Sequence, residues 1–345
     1  MIGGTAIMKN FAKNNRYTVM LFVWMAAVLL FFTITKASTL WQVSTWQGIV
    51  MQFPEFGVMT IGVMFPFITG NIDMSFVALG DFATLIMAKY LNAHWVDGTS
   101  TGSPMSYIMT GILIAMIICI AGGIINGLLI TKLGIPAVMA TIAMQLVWQG
   151  LSIALTNGNT VSGLPELYTE IGHSNVLGFI PYPLFIFIIM AVIAGLLLKF
   201  TVFGEKLYMC GTNVKACHYS AINTDRVITV SFVLCAVWSC VGALLMVSTM
   251  ASAKADYGTS YVMRVILILV LAGVLPDGGT GKIHDVVLSV IIVQIIGSGV
   301  NMFSNLNAYY ANLIWGALLL LVLILSTKMG ADGFHFKKKK AAKAA

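Results

Sequence analysis

Charged side chains are scarce in this sequence. Asp, Glu, Lys and Arg make up 9% of its 345 residues, against about 25% in soluble globular proteins. Hydrophobic residues reach 59%, and the mean hydropathy is +0.94. This composition excludes an ordinary soluble domain and, despite a net charge of +7, a nucleic-acid-binding protein. It predicts an all-α, polytopic membrane protein.

Motifs for catalysis and for metal or nucleotide binding are also missing. The five cysteines form no C-x-x-C pair, and none lies in a stretch predicted outside the cytoplasm, so we expect no disulfide framework. The stretch GGTGK at 278–282 lacks the first glycine of a nucleotide-binding P-loop, and Ile283 follows its lysine. We therefore expect a chain that is not an enzyme and that holds no catalytic residue, metal or cofactor of its own.

Ten apolar stretches are candidates for membrane-spanning helices, which need about 20 residues each. The first, of about 18 residues, exceeds the apolar region of a cleaved signal peptide and predicts a retained span. The ten predicted spans cover residues 17–34, 53–69, 74–91, 107–131, 136–155, 182–200, 227–250, 261–275, 286–302 and 310–327.

The positive charges predict the orientation of these spans. With the N-terminus in the cytoplasm, ten spans return the C-terminus to the same side, where all but four of the 19 Lys and Arg residues then lie. This agrees with the excess of positive charge in cytoplasmic loops. Residues 1–16 are then a cytoplasmic segment, 17–327 the transmembrane domain, and 328–345 a basic cytoplasmic tail whose residues 330–345 are expected to be disordered.

Two polar breaks interrupt the first spans. Pro54 and Glu55 suit the first turn of a helix, so we expect 41–52 to be a separate interfacial piece and the second helix to begin near Phe53. A single helix kinked at Pro54 is the alternative. In the second break, ITGNIDMS at 68–75, Asp73 either caps the third helix or joins Asp81 in a proton relay.

Polar side chains within the spans mark a candidate translocation pathway. Amide, carboxylate and aromatic groups suit a hydroxyl-rich solute, although helix packing explains them about equally well. The candidates are Asn71, Asp73, Asn126, Gln145, Trp148, Gln149 and Asn301.

The longest cytoplasmic loop, at 203–226, is unusually polar. Its residues 213–220 are long enough for two helical turns, and Asn213 is a suitable N-cap. A short helix beneath the membrane would be a docking element for a soluble partner. A plain connecting loop is the alternative.

Four stretches, in order along the chain, resemble the inner-membrane permeases of bacterial ABC importers for simple sugars. This branch includes the ribose, galactose, arabinose and autoinducer-2 permeases. ITGNIDMS at 68–75 is similar to the family's TGGIDLS, and GIINGLLITKLGIPAVMATIA at 123–143 resembles its fourth span and the K-x-x-I-P turn. FGEKLYMCGTNVKACHYSAINTDR at 203–226 resembles its cytoplasmic loop, and LAGVLPDGGTGKI at 271–283 its G-G-x-G-x-I segment.

The resemblance implies about ten helices, a second permease subunit (the same or related), cytoplasmic ABC ATPase subunits and an extracytoplasmic solute-binding protein. ATP and Mg²⁺ would then be bound by the ATPase partner. Loop 203–226 would be the ATPase-coupling element, with Gly211, Asn213, Ala216, Ser220, Ile222 and Asn223 at matching positions. Asn71, Ala221 and Ala272 each replace a family glycine, and Asn71 is expected to alter its turn.

Two functions follow from these observations. The first is the translocation subunit of an ATP-driven importer for a monosaccharide-like solute in the bacterial inner membrane. The alternative is a secondary transporter driven by an ion gradient, in which Glu55, Asp73 or Asp81 would titrate. The sequence does not identify the solute.

Overall fold

A computed structural model describes residues 16–95, 103–176, 180–303, 313–322 and 324. Helices dominate the described chain, and the predicted all-α class is confirmed. In chain order the helices are α1 (Arg16–Leu40), α2 (Val43–Ile68), α3 (Phe76–His94), α4 (Pro104–Thr131), α5 (Ala137–Thr156), α6 (Glu166–His173), α7 (Tyr182–Phe200), α8 (Val202–Thr212), α9 (Val214–Tyr219), α10 (Thr224–Met250), α11 (Tyr261–Leu271), α12 (Ile283–Asn301) and α13 (Leu313–Val322).

Seven of the described helices are long and apolar enough to cross a membrane: α1, α2, α4, α5, α7, α10 and α12. The helix α3 has 19 residues, and α11 and α13 are shorter apolar helices. Each of the ten predicted spans therefore contains a helix. Residues 1–15 and 325–345, with the predicted tail and most of the N-terminal segment, lie outside the described residues.

The predicted break before Phe53 is wrong, because α2 runs from Val43 to Ile68 with Pro54 inside it. Exposure changes sharply at this point, since the residues before Phe53 are mostly exposed or half-buried and those from Phe53 onward are buried. Proline removes one backbone hydrogen bond, and here the helix continues through it. The composition change that suggested two pieces thus marks where one helix enters the core.

The predicted span at 261–275 also ends early, at Leu271. Gly273 has φ +75, its N–H donates to the Val270 carbonyl at 3.0 Å, and the Val274 N–H donates to the Leu269 carbonyl at 2.9 Å. These two bonds and the left-handed residue form a Schellman motif, which terminates a helix. Ala272, where the family has glycine, keeps an ordinary helical φ of −71.

The core is built around α2 and α10. Helix α10 packs against α2, α3, α4 and α6, while α2 also packs against α7, α11 and α12. Small residues permit the closest approach: Gly123 and Gly127 on α4 lie directly against the α10 backbone, as expected for membrane helices.

Short strands and paired loops distinguish the two ends of the bundle. At one end β1 (Val161–Ser162) pairs with the distant β4 (Ser252–Ala253), and β2 (Asn175–Val176) forms a hairpin with β3 (Ile180–Pro181). We call this the hairpin end. The opposite end, which we call the basic end, carries Lys132, Lys199 and Lys282 and includes α8 and α9.

We expect Gly123→Ala to destabilise the protein. A Cβ at position 123 would lie 2.8 Å from the Phe232 carbonyl oxygen and 2.9 Å from the Val233 Cα, and overpacking of this kind costs about 1–3 kcal/mol. Thermal unfolding of the purified protein in detergent measures the effect. Gly150→Ala on α5 is the matched control, because a Cβ there has no atom within 4 Å. Equal loss of stability in both variants would contradict the packing assignment.

Candidate functional site

Three of the segments that carry the family resemblance meet at the basic end. The Gly279 N–H donates to the Ile68 carbonyl at 2.8 Å. A Cβ on Gly211 would overlap that same carbonyl oxygen and the Gly279 nitrogen. The end of α8, the end of α2 and the loop after α11 are therefore in direct backbone contact, and only glycine fits at position 211.

Tyr208 adds a side-chain bond to this junction. Its hydroxyl donates to the Gly281 carbonyl at 2.7 Å. Burial raises the pKa of Tyr208 to about 12, further above neutral pH than the ordinary value of about 10, so the phenol stays a hydrogen-bond donor. Tyr208 is absent from the candidate residues predicted from the sequence, although it lies in the stretch 203–226 that resembles the family's cytoplasmic loop.

The predicted short helix after this junction is confirmed as α9, which begins after the N-cap Asn213. The Asn213 side chain accepts from the Ala216 N–H at 3.0 Å, and Asn223 caps α10 by accepting from the Arg226 N–H at 3.0 Å. Both asparagines thus begin helices, which is the usual use of this residue at a cap.

Helix α9 projects from the bundle with almost every side chain exposed. Only Cys217 is buried, whereas Tyr219 is 90% exposed and Val214 is 44% exposed. Ala216 and Ser220 are also exposed, and the half-buried Ile222 packs against the core. Exposed aromatic and aliphatic side chains are typical of protein interfaces, and the sequence reasoning missed Tyr219 and Val214.

Two of the substituted family glycines behave differently. Ala221 has φ +58 and occupies the left-handed region that glycine adopts without steric cost. Asn71 does not have a positive φ, because the left-handed residue of its turn is Gly70 at φ +79. The expected change of the turn by Asn71 is therefore not seen; its side chain donates to the Thr69 hydroxyl at 2.9 Å.

Asp73 and Asn126 are brought together through Ser75. The Ser75 hydroxyl and N–H both donate to Asp73 Oδ1 at 2.8 Å, and Asn126 Nδ2 donates to the Ser75 hydroxyl at 2.7 Å. All three residues are buried. The N-cap of α3 is Ser75, not Asp73 as predicted. Asp73 instead accepts hydrogen bonds from this N-cap residue.

Gln145 and Gln149 share a narrow cleft with Asp81. The cleft lies where the loop between β4 and α11 meets α3 and α5, and Thr259 adds a hydroxyl to its wall. Asp81 is buried, and its Oδ2 accepts from the Gly258 N–H at 3.4 Å. Amides, a hydroxyl and a carboxylate thus converge on one space of about 10 Å³, which is about the volume that one water molecule needs.

The remaining pathway candidates lie elsewhere. Trp148 is buried and stacks on Phe82 with ring centroids 5.4 Å apart, so it packs α5 against α3. Asn301 is exposed at the end of α12, a helix that packs against α1, α2 and α11. Sequence spacing did not separate these two from Gln145 and Gln149, because exposure depends on which helices are neighbours.

Glu55, which suggested a helix start, instead joins α2 to α11. The Tyr261 hydroxyl donates to Glu55 Oε2 at 3.0 Å. The Arg264 guanidinium lies over the rings of Phe56 and Trp315, at 5.1 and 4.7 Å from their centroids. Cation–π contacts of this kind hold α2, α11 and α13 together. Over the described ranges, no three His, Cys, Asp or Glu side chains gather closely enough to hold a metal ion.

The comparison with protein families decides the identity of the chain. Residues 46–323 match the family described as "Branched-chain amino acid transport system / permease component". The chain belongs to this family. The permease is thus a multi-pass inner-membrane protein, and the resemblance to ABC importer permeases is confirmed.

Curated relatives cover most of the permease. The ribose import permease protein RbsC of Bacillus subtilis is 31% identical over 277 residues, which are 80% of this chain and 82% of the relative. The autoinducer 2 import system permease protein LsrD of Yersinia enterocolitica is 28% identical over 78% of this chain and 79% of its own length. LsrC of Photorhabdus luminescens is 27% identical over 79% and 78%. No solved structure matches the permease.

We expect Asn126→Leu to weaken the contact between α3 and α4. The substitution keeps side-chain bulk and removes the amide that donates to Ser75. Hydrogen bonds between membrane helices contribute about 0.6–1.7 kcal/mol, so unfolding by a denaturing detergent should begin at a lower concentration. Ser289→Ala is the control, because the buried Ser289 hydroxyl has no hydrogen-bond partner in the part of the chain that the structure describes. A larger effect of the control would contradict the network.

Proposed function

We propose that this permease is the translocation subunit of an ATP-driven importer for a monosaccharide-like solute. It would receive the solute from an extracytoplasmic binding protein, pair with a second permease subunit, and depend on cytoplasmic ATPase subunits for energy. The observation that carries the proposal is the junction of α2, α8 and the loop after α11 directly behind the exposed α9.

The proposal includes ten crossings with both termini in the cytoplasm. Contacts between loops support this arrangement, since each joins loops that it assigns to one side. Lys132 Nζ lies 2.9 Å from Asp225 Oδ2, and both would be cytoplasmic, as would Gly279 and Ile68. The strands β1 and β4 pair with each other, and both would be extracytoplasmic.

Coupling to the ATPase would proceed through α9. Tyr219 and Val214 offer apolar contacts to a partner, and the caps Asn213 and Asn223 hold both ends of the exposed segment. A displacement of α9 would move α8. The contact between Gly211 and Ile68 would transmit this movement to α2, because no side chain separates the two backbones. The six loop residues proposed for coupling thus differ in role. Asn213 and Asn223 cap helices, and Gly211 allows two backbones to approach closely. Ala216 and Ser220 would face the partner, and Ile222 packs against the core.

The solute path would follow the cleft of Gln145, Gln149 and Asp81. Helix α5 also exposes an apolar face that includes Met139 and Leu146. A second permease subunit against this face would enclose the cleft between two copies. The network of Asp73, Ser75 and Asn126 lies at the start of α3. There it would link the junction of α2, α8 and the loop after α11, which we call the coupling junction, to the helix that carries Asp81.

The assignment of a monosaccharide-like solute is based on the relatives, whose names specify ribose and autoinducer 2. The side chains of the cleft are compatible with several hydroxyl-rich solutes. The stretch GGTGK at 278–282 contributes to the coupling junction, and ATP would be bound by the partner.

Tyr219→Ala should uncouple the permease from its ATPase. Truncation of a tyrosine that is a hot spot of an interface costs about 2 kcal/mol or more, which is roughly a thirtyfold weaker association. The measurement is the amount of ATPase that co-purifies with the permease in mild detergent, together with ATP-driven uptake in vesicles.

Tyr182→Ala is the matched control, because Tyr182 is a partly exposed tyrosine at the start of α7, on the hairpin side. Thermal unfolding should be the same in both variants. ATPase recovery that is unaffected by Tyr219→Ala, or reduced equally by the control, would contradict the coupling role of α9.

Gln149→Ala should lower the rate of solute import several-fold without reducing ATPase recovery, because it removes an amide from the cleft. Asn301→Ala tests the other predicted amide, which lies outside that cleft, and should import normally. Uptake is measured in vesicles with and without an uncoupler of the proton gradient. Import that needs no ATPase and collapses with the uncoupler would favour the ion-driven alternative and overturn the proposed function.

A further inference from the structure

A long groove runs along the outer surface of α1, α7 and α12 and is independent of the cleft at Gln145 and Gln149. Its apolar part encloses about 670 Å³ and is lined by side chains such as Phe22, Val192 and Leu288. A second part of about 630 Å³ continues it to the basic end. The two parts share four residues: Val192, Gly195, Ile283 and His284.

Gly195 keeps the groove open where its two parts meet. A Cβ at this position would have no atom within 4 Å, so the missing side chain leaves space and makes no close helix contact. By contrast, Gly57 on α2 does serve helix packing. A Cβ built on Gly57 would lie 2.8 Å from a ring carbon of Phe187 on α7. Gly195 therefore makes no close helix contact within this chain, and a larger side chain here would enter the groove.

The two ends of the groove differ in chemistry. The apolar part has almost no polar surface, whereas the other part adds Lys199 and Lys282 to the shared His284. Among the described residues, neither wall includes an Asp or Glu side chain. The nearest carboxylate on α12, Asp285, is buried and accepts from the Thr18 hydroxyl at 2.7 Å; its Oδ1 lies 3.4 Å from His284 Nε2.

The start of α12 also lies at this end of the groove. The helix begins at Ile283, directly at the junction of the two parts, with Lys282 at its N-cap and the buried Asp285 in its first turn. The N-terminus of a helix attracts phosphate through its N–H groups and its dipole. Two lysines, a histidine and a helix start thus surround the basic end of an otherwise apolar groove.

We propose that this groove binds an anionic phospholipid of the cytoplasmic leaflet. The phosphate would lie near Lys199, Lys282 and His284, and an acyl chain would lie along Phe22, Val192 and Leu288. Basic pockets between membrane helices on the cytoplasmic side suit anionic head groups, and the charge complementarity distinguishes this occupant from a helix of a second copy. The proposal uses the proposed orientation and is independent of the transported solute.

The lipid would also reinforce the coupling junction. Tyr208 lines the basic part of the groove, and its hydroxyl bonds the Gly281 carbonyl beside Lys282. A lipid that fills this space would hold α7, α8 and the loop before α12 together. We therefore expect anionic lipid to raise the thermal stability of the permease as well as to bind it.

The test uses the full-length permease, stripped of lipid in detergent, and titrated with phosphatidylglycerol or with phosphatidylcholine. Native mass spectrometry counts bound lipid, and thermal unfolding reports stabilisation. The double variant Lys199→Gln/Lys282→Gln should bind phosphatidylglycerol roughly thirtyfold more weakly, the combined effect of two lysines at an anionic surface. Gly195→Leu should block binding by filling the groove.

Lys206→Gln/Lys215→Gln is the matched control, because it removes the same charge from the basic end at exposed positions outside the groove. It should bind phosphatidylglycerol as the unaltered protein does. The lysine double variant decides the matter if Gly195→Leu cannot be purified folded.

Four results would each overturn the proposal. They are equal loss of binding in the control, equal binding of phosphatidylcholine, equal stabilisation by free glycerol phosphate, and a Gly195→Leu variant that keeps its lipid and instead loses dimers. The last would assign the groove to a second copy. None of these readouts involves transport or ATPase recovery, so failure here is distinguishable from failure of the proposed function.

Discussion

A buried backbone group that leaves its helix must find a hydrogen-bond partner within the protein. In this permease the non-helical segment after α2 and the one after α11 do so directly, through the bond from the Gly279 N–H to the Ile68 carbonyl. Gly211 then lies against both backbones. Helix α3 begins after the first of these segments, α12 begins after the second, and α8 ends at Thr212, next to Gly211.

The same constraint links the proposed coupling surface on α9 to the interior. Ser75 ends the non-helical segment that begins after Ile68, and it holds Asp73 and Asn126 by hydrogen bonds. A displacement of α9 would therefore be transmitted through backbone contacts and a buried polar network before it reaches α3. Rigid contacts of this kind suit a domain that must switch between discrete states.

Polar groups within the membrane have different roles that their chemistry alone does not reveal. Glu55 and Arg264 join helices near the hairpin end, Asp73 supports the start of α3, and Asp81 faces a cleft with two glutamines. Cationic groups divide in the same way, because Lys132 pairs with Asp225 while Lys199 lines the apolar groove. Neighbouring helices decide each case.

The sequence by itself determined the membrane class and indicated a helix within each long apolar run, because run length is a local property. Asn213 also indicated the short helix α9, with a plain loop as the alternative. The sequence motifs also identified the family. Composition misplaced the start of α2 at Phe53, because the change in residue type there records burial and not a helix end. Only the tertiary structure separated Gln145 and Gln149 from Trp148 and Asn301 and brought Gly211, Ile68 and Gly279 into contact. Those outcomes depend on which distant helices pack together, a long-range property that the pattern along one segment does not contain.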